Sequence, residues 1–143
     1  MTIKNKLLIY VALLVTLLSI PWLNASTSSF VLKGQLDDRY INFVGSHGRY
    51  KIEVNYTSNT HIVQTGYYAS LFDTLYLVKV RRDKVAADSS FDVNEFLRGH
   101  QTFILFKLKH EKGNVYQMKR MEEDPRKGIS EYPVIIEGDL GVL

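Results

Sequence analysis

Four histidines, His47, His61, His100 and His110, are the first residues to test for chemistry. Metal ligation needs converging donors, and none of the four lies two, three or four residues from another. The chain contains no Cys to assist them. They read as solvated loop residues, and the sequence predicts neither a metal nor a cofactor. Ser46-His47 and Asp73 supply the residue types of a hydrolytic nucleophile, base and orienter. No nucleophile-elbow pattern surrounds Ser46, so these three read as turn residues. The acidic pairs Asp37-Asp38 and Glu122-Glu123-Asp124 sit beside Gly, Pro or Arg and read as solvated turns. No catalytic residue is assigned, and the chain leans away from enzymatic function.

Two kinds of binding residue remain. Tyr67 and Tyr68 follow Gly66 in a stretch that reads as a loop, either packed or in contact with a ligand. Arg81 and Arg82 open the basic cluster Arg81-Arg82-Asp83-Lys84. Together Tyr67, Tyr68, Arg81 and Arg82 form a speculative ligand-binding set, with aromatic faces for stacking. Bases and aromatics on one sheet would also suit single-stranded nucleic acid. The charge argues against that partner. Of 18 Lys and Arg, only Lys4 and Lys6 lie in the first 25 residues, leaving 16 against 15 acidic side chains in the remainder.

The segment that removes those lysines also sets the location. Residues 1–25, MTIKNKLLIYVALLVTLLSIPWLNA, read as a signal peptide or a membrane anchor. The purely apolar core, Leu7 to Leu18, falls within the range of about 7–15 residues expected of a signal peptide. The wider run from Leu7 to Leu23 barely reaches the length of about 17–25 residues that a spanning helix needs. Pro21 is expected to break the helix near its end. Ala25 offers a small residue for cleavage before Ser26. Cleavage near Ala25 and retention of residues 7–23 as an anchor both stand. Either way the lysines stay cytoplasmic and the remainder is extracytoplasmic, periplasmic or in the cell envelope. The absence of Cys leans toward a bacterial envelope.

Residues 26–29 (STSS) read as a polar hinge. Residues 30–143 then form a single domain, large enough to bury a core without disulfides. Its period is two. Tyr50, Ile52, Val54 and Tyr56 alternate with Arg49, Lys51, Glu53 and Asn55. Leu75 to Val80 suits a central strand. Thr102, Ile104, Phe106 and Leu108 share one face, and Gly113-Asn114 supplies a hairpin turn into Val115 to Met121. Phe30 to Leu36 and Tyr40 to Val44 are shorter strands. Tyr132 to Ile136 reads as a terminal edge strand, because Pro133 cannot donate to a ladder. A short helix is predicted over 89–99, capped by Asp92 and Glu95 and ended by Gly99. The fold class is mainly β: a compact antiparallel barrel or sandwich, OB-like in one version, with one short helix and an N-terminal hydrophobic helix.

Several fragments, in order, resemble the GDYXXLXY family of small membrane-anchored proteins of unknown function, often found near other membrane proteins. Phe30-Val31-Leu32-Lys33-Gly34 resembles the family's opening. Asp37-Asp38-Arg39 resembles its Asp-Pro-Arg step, with Asp38 in place of Pro. Gly48 to Tyr56 is similar to the naming motif, with Arg49 for an acidic residue and one residue inserted. Phe96-Leu97-Arg98-Gly99 and Gly128 to Tyr132, followed out of register by Glu137-Gly138, resemble later signatures. The resemblance implies a retained anchor and supplies no activity. The expected function is therefore a non-enzymatic envelope protein that binds another membrane or envelope protein. The alternative is a small-ligand or polysaccharide-binding module using a Tyr-rich surface.

Overall fold

The computed structural model describes residues 3–36, 38–86, 100–121 and 131–142. The helix expected over 89–99 lies outside the described residues, as do Asp37 and the acidic run at 122–124.

One helix, α1 (Ile3–Thr27), precedes eight strands: β1 (Ser29–Leu36), β2 (Arg39–Ser46), β3 (Arg49–Tyr56), β4 (His61–Leu71), β5 (Thr74–Ala86), β6 (Phe103–Lys112), β7 (Val115–Arg120) and β8 (Glu131–Asp139). Each strand pairs antiparallel with the next, and β8 pairs back onto β1 to close a barrel. The up-and-down order excludes both the sandwich and the five-stranded OB arrangement. The barrel has no edge strand, so β8 is not one. Pro133 fits because of register. Ile136 N–H points to Asn114 of the β7 side, so alternation turns residue 133 toward β1. The last β1 pair there is Gly34 with Val134, and the missing Pro133 donor falls beyond it.

Inward and outward side chains alternate along the strands, apart from irregularities such as the β-bulges of the β4–β5 pair. Phe30, Leu32, Phe43, Leu75, Leu77 and Val134 fill the interior with almost no exposure. The β3 alternation and the Gly113-Asn114 turn are as the sequence indicates, with Gly113 in the left-handed region at φ 60. Tyr67 and Tyr68 are not in a loop. They belong to β4, an eleven-residue strand whose inward positions are too polar and too small to show as an apolar face.

The helix is continuous through Pro21. Proline removes the bond to the carbonyl four residues back and crowds that carbonyl, yet α1 runs on to Thr27, and the hydroxyls of Thr16 and Ser19 bond the carbonyls of Ala12 and Thr16. Its 25 residues span about 37 Å, more than the ~30 Å of a bilayer's hydrocarbon core. By length and composition α1 can cross a membrane, and its apolar side chains from Leu7 to Leu18 lie exposed around the helix.

Residues 26–29 are not a separate hinge. Ser26 and Thr27 continue α1, Ser28 is buried and Ser29 starts β1. The helix end is stitched to the barrel instead. Asn24 Nδ2 donates to the Ser70 carbonyl at 3.1 Å and to Ser70 Oγ at 3.0 Å. Asn24 Oδ1 accepts from Val142 N–H at 2.7 Å. Ser28 Oγ and the Tyr68 hydroxyl share a hydrogen bond, and Ala25 is 0 % exposed within the core.

Candidate functional site

The two ends of the barrel differ. At the α1 end, four aromatic rings fill the interior. Phe30 stacks on Phe43 at 5.3 Å between centroids, and Phe43 stacks on Tyr50 at 5.4 Å. Tyr68 meets Phe30 edge-on at 5.5 Å. Such pairs add to their area burial, and together with Ala25 and Ser28 they plug this end.

At the far end the described residues leave the interior unfilled. A cavity of about 150 Å³ occupies it, floored by apolar side chains that include Ile52, Val54, Ile104, Phe106 and Met118. Eight strands enclose an interior that side chains can just fill or that can hold one small ligand, and here the aromatic plug uses only one half. Gln64 joins the halves, donating from Nε2 to the Tyr50 hydroxyl at 2.9 Å. Burial pushes the Tyr50 phenol pKa up, and the Gln64 bond partly offsets this.

Arginines line the mouth: Arg39 from β2, Arg82 from β5 and Arg120 from β7, with Tyr56 and Tyr132 between them. Arg39 is held on three sides. Its Nε pairs with the exposed Asp38 at 2.8 Å, its Nη1 donates to Tyr56 hydroxyl at 3.3 Å, and its guanidinium carbon lies 4.9 Å over the Tyr56 ring. Arg120 Nη2 donates to Gln101 Oε1.

Arg82 faces inward because of a bulge. Thr65 pairs with Arg81 but Gly66 pairs with Lys79, leaving Val80 as the extra residue. A strict period of two from Leu75 and Leu77 would carry Arg81 inward. The inserted Val80 shifts the phase and brings Arg82 in. Gly66 permits the close approach, since a Cβ there would lie 2.0 Å from the Val78 carbonyl oxygen. Beside this bulge the Lys79 ammonium has its pKa pulled down, first by burial and then by the nearby positive charge of Arg82.

The four residues singled out from the sequence are thus separated. Tyr67 lies on the outer face, 48 % exposed, while Tyr68 is wholly buried in the plug. Adjacent residues of a strand must point to opposite faces. Arg81 is on the outside, its Nε 2.8 Å from Asp83, an exposed pair of small energetic worth. Only Arg82 lines the cavity. Tyr67 instead edges an open groove of about 350 Å³ on the barrel's outer surface, with Arg49, Thr65 and Val80. Arg39 and Arg120 were not among those four residues. The signal was there, because each falls in phase with an apolar strand face: Arg39 with Ile41 and Phe43, Arg120 with Tyr116 and Met118.

The histidines are dispersed. His47 caps the β2–β3 turn at φ 49 and shares a hydrogen bond with Ser46, while His110 contacts the Gly113 carbonyl in the β6–β7 turn. Among the described residues no three His, Asp or Glu side chains converge as a metal site. Ser46 ends β2 and does not lie in a turn, whereas Asp73 lies in the β4–β5 turn, 3.6 Å from the Lys107 ammonium. No family model, no curated protein and no solved structure matches this chain.

Proposed function

We propose that this chain is a membrane-tethered binding barrel that takes a small apolar ligand into the end of its interior remote from α1. The observation that carries the reading is the dead-end cavity, about 150 Å³ in volume, between the aromatic plug and the arginine-lined mouth. An apolar void of that size is large enough for a benzene-sized group. This is the small-ligand alternative read from the sequence, moved from the Tyr67 and Tyr68 surface to the interior.

The tether is supported by the junction. Cleavage after Ala25 would remove Asn24 and Ala25, both buried in the barrel, and with them the bonds to Ser70 and Val142. The GDYXXLXY resemblance points the same way. Lys4 and Lys6 ahead of the apolar run orient the barrel outside the cytoplasm.

Thermal unfolding of the full chain in lipid nanodiscs, with and without 1-hexanol, tests the binding reading. A ligand bound only by the native state raises Tm. Wild type gains in Tm, and Ile104→Trp, which fills the cavity, does not. An unchanged wild-type Tm, or an equal gain in both proteins, contradicts the reading.

The outer groove carries the second reading, docking of another envelope protein. Tyr67 and Val80, 48 % and 66 % exposed, are its apolar edge. Pull-down from solubilised membranes with Tyr67→Ala as the control distinguishes it, since that change leaves the interior untouched.

A further inference from the structure

The apolar run of α1 passes into the barrel with no free linker. Leu23 ends the run, Asn24 is already buried against β4, and Ser29 belongs to β1. Resting on the reading of α1 as a retained membrane anchor, we infer that the α1 end of the barrel is itself a membrane-binding surface. Its partner is the boundary between headgroups and acyl chains of the bilayer that α1 crosses. Phe72 and Val142 are the side chains that enter that boundary.

Three observations carry this. First, the run is short. Leu7 to Leu23 is 17 residues, about 25 Å of helix, against a hydrocarbon core of ~30 Å. A run shorter than the core draws its flanks toward the hydrocarbon, and on this side the flank is the barrel. Trp22, 46 % exposed, marks the level of the interface, where an indole ring is favoured.

Second, the up-and-down order brings the β2–β3, β4–β5 and β6–β7 turns and the end of β8 to the α1 end. Val142 and Phe72 lie there, 81 % and 76 % exposed, the highest values of any described large apolar side chain outside α1. Both are tied to the first residue after the run. Asn24 accepts from the Val142 N–H, and it donates to the Ser70 carbonyl and hydroxyl, two residues before Phe72. Two residues of strand reach only about 7 Å, so Phe72 stands close to the end of the span.

Third, the fold does not account for Phe72. It opens the two-residue β4–β5 turn at φ 53, a left-handed position that suits Gly or Asn and disfavours a bulky side chain. The exposed ring recovers little of that strain from the barrel, and strain kept in this way points to a function. Charge adds little, since Lys107 pairs with Asp73 and Glu111 stands between Lys109 and Lys112. The surface therefore suits uncharged lipid through apolar contact.

Nuclear Overhauser contacts between the full chain and the lipids of phosphatidylcholine nanodiscs test this. The Phe72 ring and the Val142 methyls show cross-peaks to acyl-chain methylenes, as the Trp22 ring does. Tyr40, an exposed ring where β2 starts at the opposite end of the barrel, shows cross-peaks to water alone. Leu14, in the middle of α1, checks the anchor. If Leu14 contacts acyl chains while Phe72 contacts only water, the barrel stands clear of the membrane, and the inference fails while the anchor reading holds. If Leu14 contacts only water, both fail. Acyl-chain contacts at Tyr40 as strong as at Phe72 overturn the choice of the α1 end.

Discussion

Gly66 of β4 approaches Val78 of β5 so closely that a side chain on the glycine would overlap the valine carbonyl, its Cβ lying 2.0 Å from the oxygen. That contact makes room for the Val80 bulge, and the bulge decides which arginine faces the cavity. A backbone detail between two small positions thus sets the chemistry of the mouth.

The first prediction follows from it. Gly66→Ala forces the β4–β5 ladder apart at the bulge and costs about 1–3 kcal/mol, the range for overpacking a filled interior. Denaturant unfolding measures the loss. Gly113→Ala is the comparison, because a Cβ there meets nothing within 4 Å and bears only the strain of φ +60, about 1–2 kcal/mol.

Asn24 ties the last turns of α1 to both β4 and the C-terminal residues. Asn24→Ala leaves the Val142 N–H and the Ser70 groups without this partner. Stability falls by about 1–3 kcal/mol, the cost of orphaned buried polar groups, and the Val142 amide exchanges faster with solvent. Unaltered exchange at Val142 would show that the junction does not hold the tail. The same junction predicts that the chain extracted from its membrane retains residues 1–25, which an intact-mass measurement reads.

Tyr50 links the plug to an alkaline limit of stability. Its buried phenol ionises above the ordinary value near 10, while in the unfolded chain it ionises near that value. Below about pH 10 both states hold the proton and the stabilisation is complete. As pH rises from there through the folded pKa, the unfolded state alone loses its proton and stability declines. Tyr50→Phe flattens this decline, at a neutral-pH cost of about 0.5–1.5 kcal/mol from the lost Gln64 bond. Parallel alkaline unfolding curves for the two proteins would exclude Tyr50 as the source.

Much of the barrel was legible as sequence because its inward faces are apolar. β3 shows this with Tyr50, Ile52 and Val54, and β6 with Ile104, Phe106 and Leu108. β4 was not legible, since its inward residues Ile62, Gln64, Gly66, Tyr68 and Ser70 mix sizes and polarities that only the closed interior reconciles. Closure itself leaves no local mark, and Pro133 suggested an edge that the finished register removes. At the site, Arg82 was found beside Arg81, but adjacent arginines cannot both face inward and the bulge choosing between them involves Gly66, fifteen or so residues earlier in the chain. Arg39 and Arg120 carried a readable signal, a charge in phase with core residues. Three charges converging on one cavity required the tertiary structure.

The central claim, that the far half of the barrel holds a ligand, is tested most directly by locating one. In a crystal structure of the full chain with 6-bromo-1-hexanol, the anomalous bromine peak lies inside the barrel among Ile52, Ile104 and Met118. A bromine on the outer groove beside Tyr67, or no ordered bromine at all in crystals grown at saturating ligand, would contradict the account.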